Sequence, residues 1–247
     1  MNNSETMQLM LEHRSIRKFK EEPVDSDRLE CLIKCGQAAA SSSFIQAYSI
    51  IRVTDKNHRQ QISEATGGQQ WVNTAPEFLV FCADLKRIDT ACINRDVGAL
   101  EGHTEHFIAA TVDVALVAQN ILLAAESLGL GGVYIGGIRN NPQLLADLIE
   151  LPDQVYPVFG MCLGWPAVDP EVKPRFPVST ILHQGHYQTD KVEQQVAEFD
   201  QLMADYYESR SENTRASDWS TQTANAIQLK KREHMLKFLN RRGLLLC

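Results

Sequence analysis

Between about Ala109 and Asn140 the chain carries its most continuous apolar pattern. The segment Thr111 to Leu128 contains neither Pro nor Gly and is rich in Ala and Leu, so it predicts a helix. Apolar positions fall on nearly every face, interrupted by Asp113, Gln119, Asn120, Glu126 and a few small polar residues, which is the pattern of a helix with neighbours on all sides. Gly129-Leu130-Gly131-Gly132 then predicts a reversal, Val133-Tyr134-Ile135 a short strand, and Gly136-Gly137 a second break. The order is helix, glycines, strand, glycines. A dinucleotide fingerprint needs strand, glycine-rich turn, then helix, so that class of site is disfavoured.

The remaining elements are read the same way. A short helix is expected over Glu5 to Glu12, and a second from Asp25 or Ser26, either able to cap it, to about Ala39. Tyr48 to Thr54 is β-branched and predicts a strand, followed by a polar helix over Lys56 to Ala65 and a turn at Thr66-Gly67-Gly68. Phe78 to Ala83 is nearly all apolar and reads as a strand covered on both faces. Leu85 to Gly102 reads as a surface excursion. Asn141-Pro142 opens a helix to about Ile149, Val155 to Leu163 is the last strong strand, and Gly164-Trp165-Pro166 ends it. A proline-punctuated arm from Pro166 to Pro177 leads to amphipathic helical sequence over Asp190 to Tyr207 and Ala224 to Arg241. Strands and helices alternate irregularly and end in a helical tail, which favours an α+β or mixed α/β architecture.

Composition narrows the function classes. At 247 residues and 44% hydrophobic, the chain buries a substantial core as one domain or one domain with an appendage. A net charge of −7 disfavours nucleic acid or an anionic membrane as partner, since both need a basic face. Six cysteines without C-x-x-C indicate a reducing compartment, and the N-terminus has no signal-peptide pattern, so a cytoplasmic location is expected. The central helix is too often interrupted by polar groups to read as a membrane span.

Against this acidic background two cationic clusters stand out, His13-Arg14-Ser15-Ile16-Arg17 and Lys173-Pro174-Arg175. The first could simply complement a helix C-terminus. Together, two hooks far apart in sequence could converge on one phosphate, with Arg forks and a Ser hydroxyl as donors. Ser41-Ser42-Ser43 and Gln69 are by themselves ordinary loop and turn residues. Tyr134 to Gly137 offers backbone amides to a flat ligand or packs tightly, and the residues leave both open. His103-x-x-His106 with Glu101 and Glu105 lacks the further ligands of a metal site and reads as a solvated helix start. Arg210 and Arg215 lie in a polar link and are either solvated or grip a charged ligand. No P-loop, zincin or nucleophile-elbow motif occurs.

Taken jointly, His13-Arg-Ser-Ile-Arg17, Ser41-Ser-Ser-Phe44, Thr66-Gly-Gly-Gln69, Leu128 to Gly137 with Arg139-Asn-Asn141, Leu163-Gly-Trp-Pro166 and Lys173-Pro-Arg175 resemble the nitroreductase family of flavoproteins. Similarity is greatest to its oxygen-insensitive NADPH nitroreductase and NADPH-flavin oxidoreductase branch. The resemblance implies a single α+β domain over residues 1–247, with 166–247 as an arm and helical extension. It implies a central mixed sheet flanked by helices, in an intertwined homodimer with FMN at the interface.

By the same resemblance His13, Arg14, Ser15 and Arg17 line the FMN, Lys173 and Arg175 hold its phosphate, and Ser41 of the partner subunit and Gln69 contact it. Tyr134, Ile135, Gly136 and Gly137 lie against the ring, Arg139 is a further contact, and Glu105 matches a position near the flavin. Arg210 and Arg215 match positions that hold the NADPH 2′-phosphate. The implied chemistry is two-electron ping-pong transfer from NADPH to nitroaromatics, quinones or free flavins, with no catalytic side-chain nucleophile and no metal. Arg17 is the candidate for stabilising charge at flavin N1 and O2. A flavin-storage protein on the same fold is the alternative, and a simple helical dimerisation module ranks last because it leaves the cationic hooks unexplained.

Overall fold

The computed structural model describes residues 3–210 and 216–247, which form two compact units: one up to Asp169 together with Arg232–Cys247, the other Pro170–Lys231. The last residues return to the first unit because Phe238, Leu239 and Leu244 are buried in its core.

In the first unit, α1 (Glu5–Leu11) is capped by Ser4 and α2 (Ser26–Gln37) by Asp25, whose carboxylate accepts from Arg28 N at 2.7 Å. A four-stranded sheet follows, built from β1 (Tyr48–Arg52), β2 (Glu77–Asp84), β3 (Gly131–Ile135) and β4 (Val155–Gly164) in the order β1-β2-β4-β3. Between β1 and β2 the chain forms α3 (Lys56–Ala65), capped by Asp55, and the short α4 (Trp71–Thr74). Between β2 and β3 lie α5 (Lys86–Ile93) and the long α6 (Thr104–Ser127). Between β3 and β4 comes α7 (Pro142–Leu148), its first turn capped by Asn141. The excursion expected after Leu85 therefore contains one helix, and the central helix begins seven residues before Thr111, at Thr104.

All three strand pairings are antiparallel among the described residues, where a mixed sheet was expected. The connections explain this. The helices between β1 and β2, and between β3 and β4, leave and re-enter the sheet at one end, so each strand returns reversed. β2 and β3 run the same way, but β4 is inserted between them and prevents their pairing. Pro157 lacks an N–H inside β4, and there the register slips, pairing Phe81 with Phe159 but Cys82 with Pro157 and leaving Val158 as the extra residue.

The α6 helix is long and apolar enough to cross a membrane by length and composition, yet it packs here against α2 and the sheet. Val114, Val117, Ala118, Ile121, Leu122 and Ala125 are buried on that side. The opposite stripe is open, with Ile108 49%, Val112 50% and Leu116 42% exposed, so the protomer does not supply neighbours on all sides.

The second unit contains the short α8 (Val178–Ile181), α9 (Val192–Ser209) and α10 (Trp219–Gln228). Its own small core is Phe199, Met203 and Tyr207, with Phe176 and Trp219 against them. The Phe176 and Phe199 rings stack at 3.8 Å. The helix expected over Ala224 to Arg241 is divided into α10 and α11 (His234–Arg241). The break spans residues 229–233 and contains the cationic run Lys230-Lys231-Arg232, where like charges disfavour continuation and Arg232 takes a φ of 46°.

Candidate functional site

β3 gathers motifs that lie far apart in sequence. Ile16 is buried and its N–H donates to Gly132 O at 2.9 Å, which lays His13 to Arg17 along the start of β3. His13 Nδ1 is 2.6 Å from Glu126 Oε1 on α6. Arg14 points its guanidinium at Asp169, with Nε to Oδ1 at 2.7 Å, and at Glu12 O at 2.8 Å. Any anion taking Arg14 competes with Asp169 for the same fork. Ser15 is half-buried, and Arg17 is exposed with its guanidinium 5.9 Å from the centre of the Trp71 ring.

At the other end of β3 the chain turns through Gly136 to Asn140. A Cβ on Gly137 would lie 2.7 Å from Gln69 Nε2 and 2.9 Å from Thr66 O, so a glycine is required for the Thr66–Gln69 turn to close against it. Gln69 Nε2 in turn donates to Thr66 O at 2.9 Å. Ile135 is fully buried, and Tyr134 is half-buried, its ring edge-on to Phe159 and its hydroxyl donating to Gln119 at 3.3 Å. Burial pushes the Tyr134 hydroxyl pKa well up, which keeps it a neutral donor.

The register slip in β4 reaches this turn. The carbonyl of the extra residue Val158 accepts from the Arg139 guanidinium, and Gly136 packs beside that guanidinium, where a Cβ would meet Nη2 at 3.2 Å. Burial and the neighbouring Arg232 lower the Arg139 pKa. Arg139 thus ties the Gly136–Asn140 turn to the sheet, and its own carbonyl is 2.9 Å from His234 Nε2.

Ser41 is held elsewhere, on α6. Its Oγ donates to Asp113 Oδ2 at 2.6 Å and accepts from Gln46 N at 2.7 Å. Asp113 also accepts from Ser42 N at 3.0 Å and Ala47 N at 3.1 Å. The sequence gives no partner for Asp113, Glu126 or Asp169. A lone carboxylate in an apolar helix is nonetheless a signal, since a buried charge needs donors.

The second unit carries the other cations. Lys173 Nζ lies 5.4 Å from the Tyr207 ring centre, Arg175 Nη1 donates to Lys173 O at 3.3 Å, and Arg210 lies 5.7 Å from the Tyr206 ring centre. The two tyrosine rings are 5.3 Å apart, so Lys173 and Arg210 sit on adjacent aromatic platforms. Arg215 lies outside the described residues. Glu105 is in the first turn of α6.

The nitroreductase family profile matches residues 10–165, and that of the nitroreductase family C-terminal domain matches residues 173–247. The chain is 43% identical to the oxygen-insensitive NADPH nitroreductase of Salmonella typhimurium, covering 97% of this chain and 98% of that protein. The crystal structure of nitroreductase A from Vibrio parahaemolyticus superposes with a TM-score of 0.90 at 44% identity over 100% of both chains. The NADPH:FMN oxidoreductase of Vibrio harveyi complexed with NAD+ gives 0.88 at 41% identity, covering 98% of this chain and 99% of that one. The motifs that β3 draws together therefore lie inside a match spanning nearly the whole sequence, and the chain belongs to the nitroreductase family.

Proposed function

We infer that this protein is an FMN-dependent oxidoreductase that takes two electrons from NADPH and delivers them to nitroaromatic, quinone or flavin acceptors in ping-pong order. The observation that carries this reading is the meeting of His13 to Arg17 and the Thr66–Gln69 turn on the two ends of β3, in a chain whose relatives are NADPH-dependent nitroreductases and flavin oxidoreductases.

The residues suit a flavin mononucleotide. Gly136 and Gly137 let Arg139 and the Thr66–Gln69 turn pack directly against the backbone after β3, where a Cβ would clash, which fixes the course of that backbone beside the ring. Beside Arg17, Trp71 Nε1 is buried without a hydrogen-bond partner. His13, Ser15 and Arg17 offer donors of the kind that a ribityl chain and a pyrimidine edge accept, and Arg14 offers charge for a phosphate; in the second unit, Lys173 and Arg175 are cations of the same kind.

FMN, when bound, supplies the two-electron chemistry that no side chain here provides. Arg17 supplies positive charge where negative charge develops on reduction. Gln69 and Ser41 of the partner subunit add neutral hydrogen-bonding groups, Tyr134 forms a wall while the Ile135 side chain is buried in the core and offers only its backbone, and Arg139 fixes the turn that follows. Arg210 and Arg215 bind the 2′-phosphate of the donor. Glu105 stands near the flavin.

The open apolar stripe of α6 is covered by a second copy, giving a homodimer. Six free thiols suit a reducing compartment, the cytoplasm.

The deciding experiment is a visible absorption spectrum of the purified protein, before and after anaerobic addition of NADPH. A flavin band that NADPH bleaches rapidly, and NADH slowly, is expected. A yellow protein that NADPH does not bleach overturns the enzymatic reading, and a protein that takes up no FMN overturns the cofactor assignment.

A further inference from the structure

Away from β3, the thiol of Cys247 lies 3.1 Å from His103 Nδ1, and His103 Nε2 lies 3.4 Å from Glu101 Oε2. The geometry points to Cys247 as a reactive thiol that exchanges with small disulfides, with His103 as its base and Glu101 orienting the imidazole. Nucleophile, base and orienting carboxylate in sequence is the arrangement that activates a thiol. All three groups are exposed, so a small disulfide reaches the sulfur.

The backbone holds this pair in place. Thr104 N and Oγ1 each donate to Cys247 O at 3.0 Å, and Leu246 N donates to Gly102 O at 2.9 Å. Gly102 has a φ of +77°, and a Cβ there would lie 2.8 Å from Gly243 O, so glycine permits the close approach. The sulfur is thereby fixed beside His103, the residue that precedes the 24-residue α6. His103 occupies the N-cap position, but its side chain makes no capping bond, which leaves the imidazole to the thiol.

In the exchange, His103 Nδ1 takes the proton from the Cys247 thiol as the sulfur attacks one sulfur of the disulfide R–S–S–R. A new S–S bond forms to Cys247 while the original one breaks. The departing thiolate receives the proton and leaves as R–SH. No outside oxidant is consumed, and excess thiol reverses the step.

The other cysteines supply internal standards. Cys82 and Cys162 are buried, and burial pushes both thiols up, so they are inert in the folded protein. Cys31 and Cys35 are exposed, and among the described residues no histidine is hydrogen-bonded to either.

The test treats the full-length protein with glutathione disulfide at neutral pH and follows each cysteine by peptide mass spectrometry. Cys247 should form its mixed disulfide about tenfold or more faster than Cys31 or Cys35. H103Q should bring Cys247 down to their rate, E101Q should slow it by a smaller factor, and dithiothreitol should remove the adduct. Absence of label on Cys82 and Cys162 reports that each variant is folded, and E101Q decides if H103Q is not. The proposal is overturned if Cys247 reacts no faster than Cys31 and Cys35 in the unaltered protein, or if the folded His103 or Glu101 variant keeps its full rate. The readout needs no flavin, so it is independent of the proposed activity.

Discussion

Asp113 Oδ2 lies 2.6 Å from Ser41 Oγ, and the same carboxylate accepts two backbone N–H groups of the loop that follows, those of Ser42 and Ala47. A fully buried carboxylate on α6 therefore shapes the segment between α2 and β1. Asp113→Ala leaves these donors unpaired and should lower stability by about 2–4 kcal/mol. Ser41→Ala, which removes one partner only, should lower it by about 1 kcal/mol. Urea denaturation of both variants checks the order, and a larger loss for Ser41→Ala would contradict it.

Gly137→Ala tests the closure of the Thr66–Gln69 turn. The added methyl meets a flexible amide and a backbone carbonyl, and the carbonyl has no cheap way to move. Stability should fall by about 1–3 kcal/mol. Because the turn borders the proposed ring site, FMN retained through purification, read from the visible band, should drop as well.

Arg139 is a second way to loosen the same region. Arg139→Ala removes the guanidinium from Val158 O and should cost about 1.5–3 kcal/mol, the range for a hydrogen bond to a charged group. Arg139→Lys keeps the charge but not the planar fork, and should recover only part of the loss. Chemical denaturation of the two variants measures this.

In the second unit, Arg210→Ala should raise the KM for NADPH by about tenfold, the loss of one charge-assisted hydrogen bond, and leave that of the electron acceptor nearly unchanged. Steady-state kinetics with both substrates varied separates the two, and equal effects on both would sink the proposed role.

Asp89 gives a pH-dependent prediction. Leu100 N donates to its carboxylate at 2.9 Å, and this bond, with smaller help from Gln154 and Lys86, holds the folded pKa below the usual value. Its stabilisation is complete above the unfolded pKa of about 3.9 and is lost as pH falls through the lower folded value. Asp89→Asn should therefore be less stable than the parent at pH 7, and the gap should close below about pH 4. Urea midpoints measured from pH 7 to 3 test the sign.

Local pattern was enough for most elements. β1 begins where the β-branched run Tyr48 to Thr54 indicates, α3 spans the polar stretch Lys56 to Ala65, and Asn141-Pro142 opens α7 as a cap followed by a residue that needs no amide partner. These signals act over three or four residues, within the reach of a side chain on its own backbone. The division of the last helix around Lys230-Lys231-Arg232 was harder to see, because amphipathic periodicity continues across the break.

By itself the sequence determined the helix at the centre, the strands beside it and the motifs that mark the family. Tertiary structure decided what their side chains do. The partner of Asp113 is 72 residues away, that of Cys247 is 144 away, and Arg139 finds a carbonyl freed by Pro157 in a different strand. Periodicity reports which face of an element is buried. Which distant donor or acceptor meets a buried polar group is fixed only when the sheet closes and α6 packs across it, because the bond exists only where both partners lose water together.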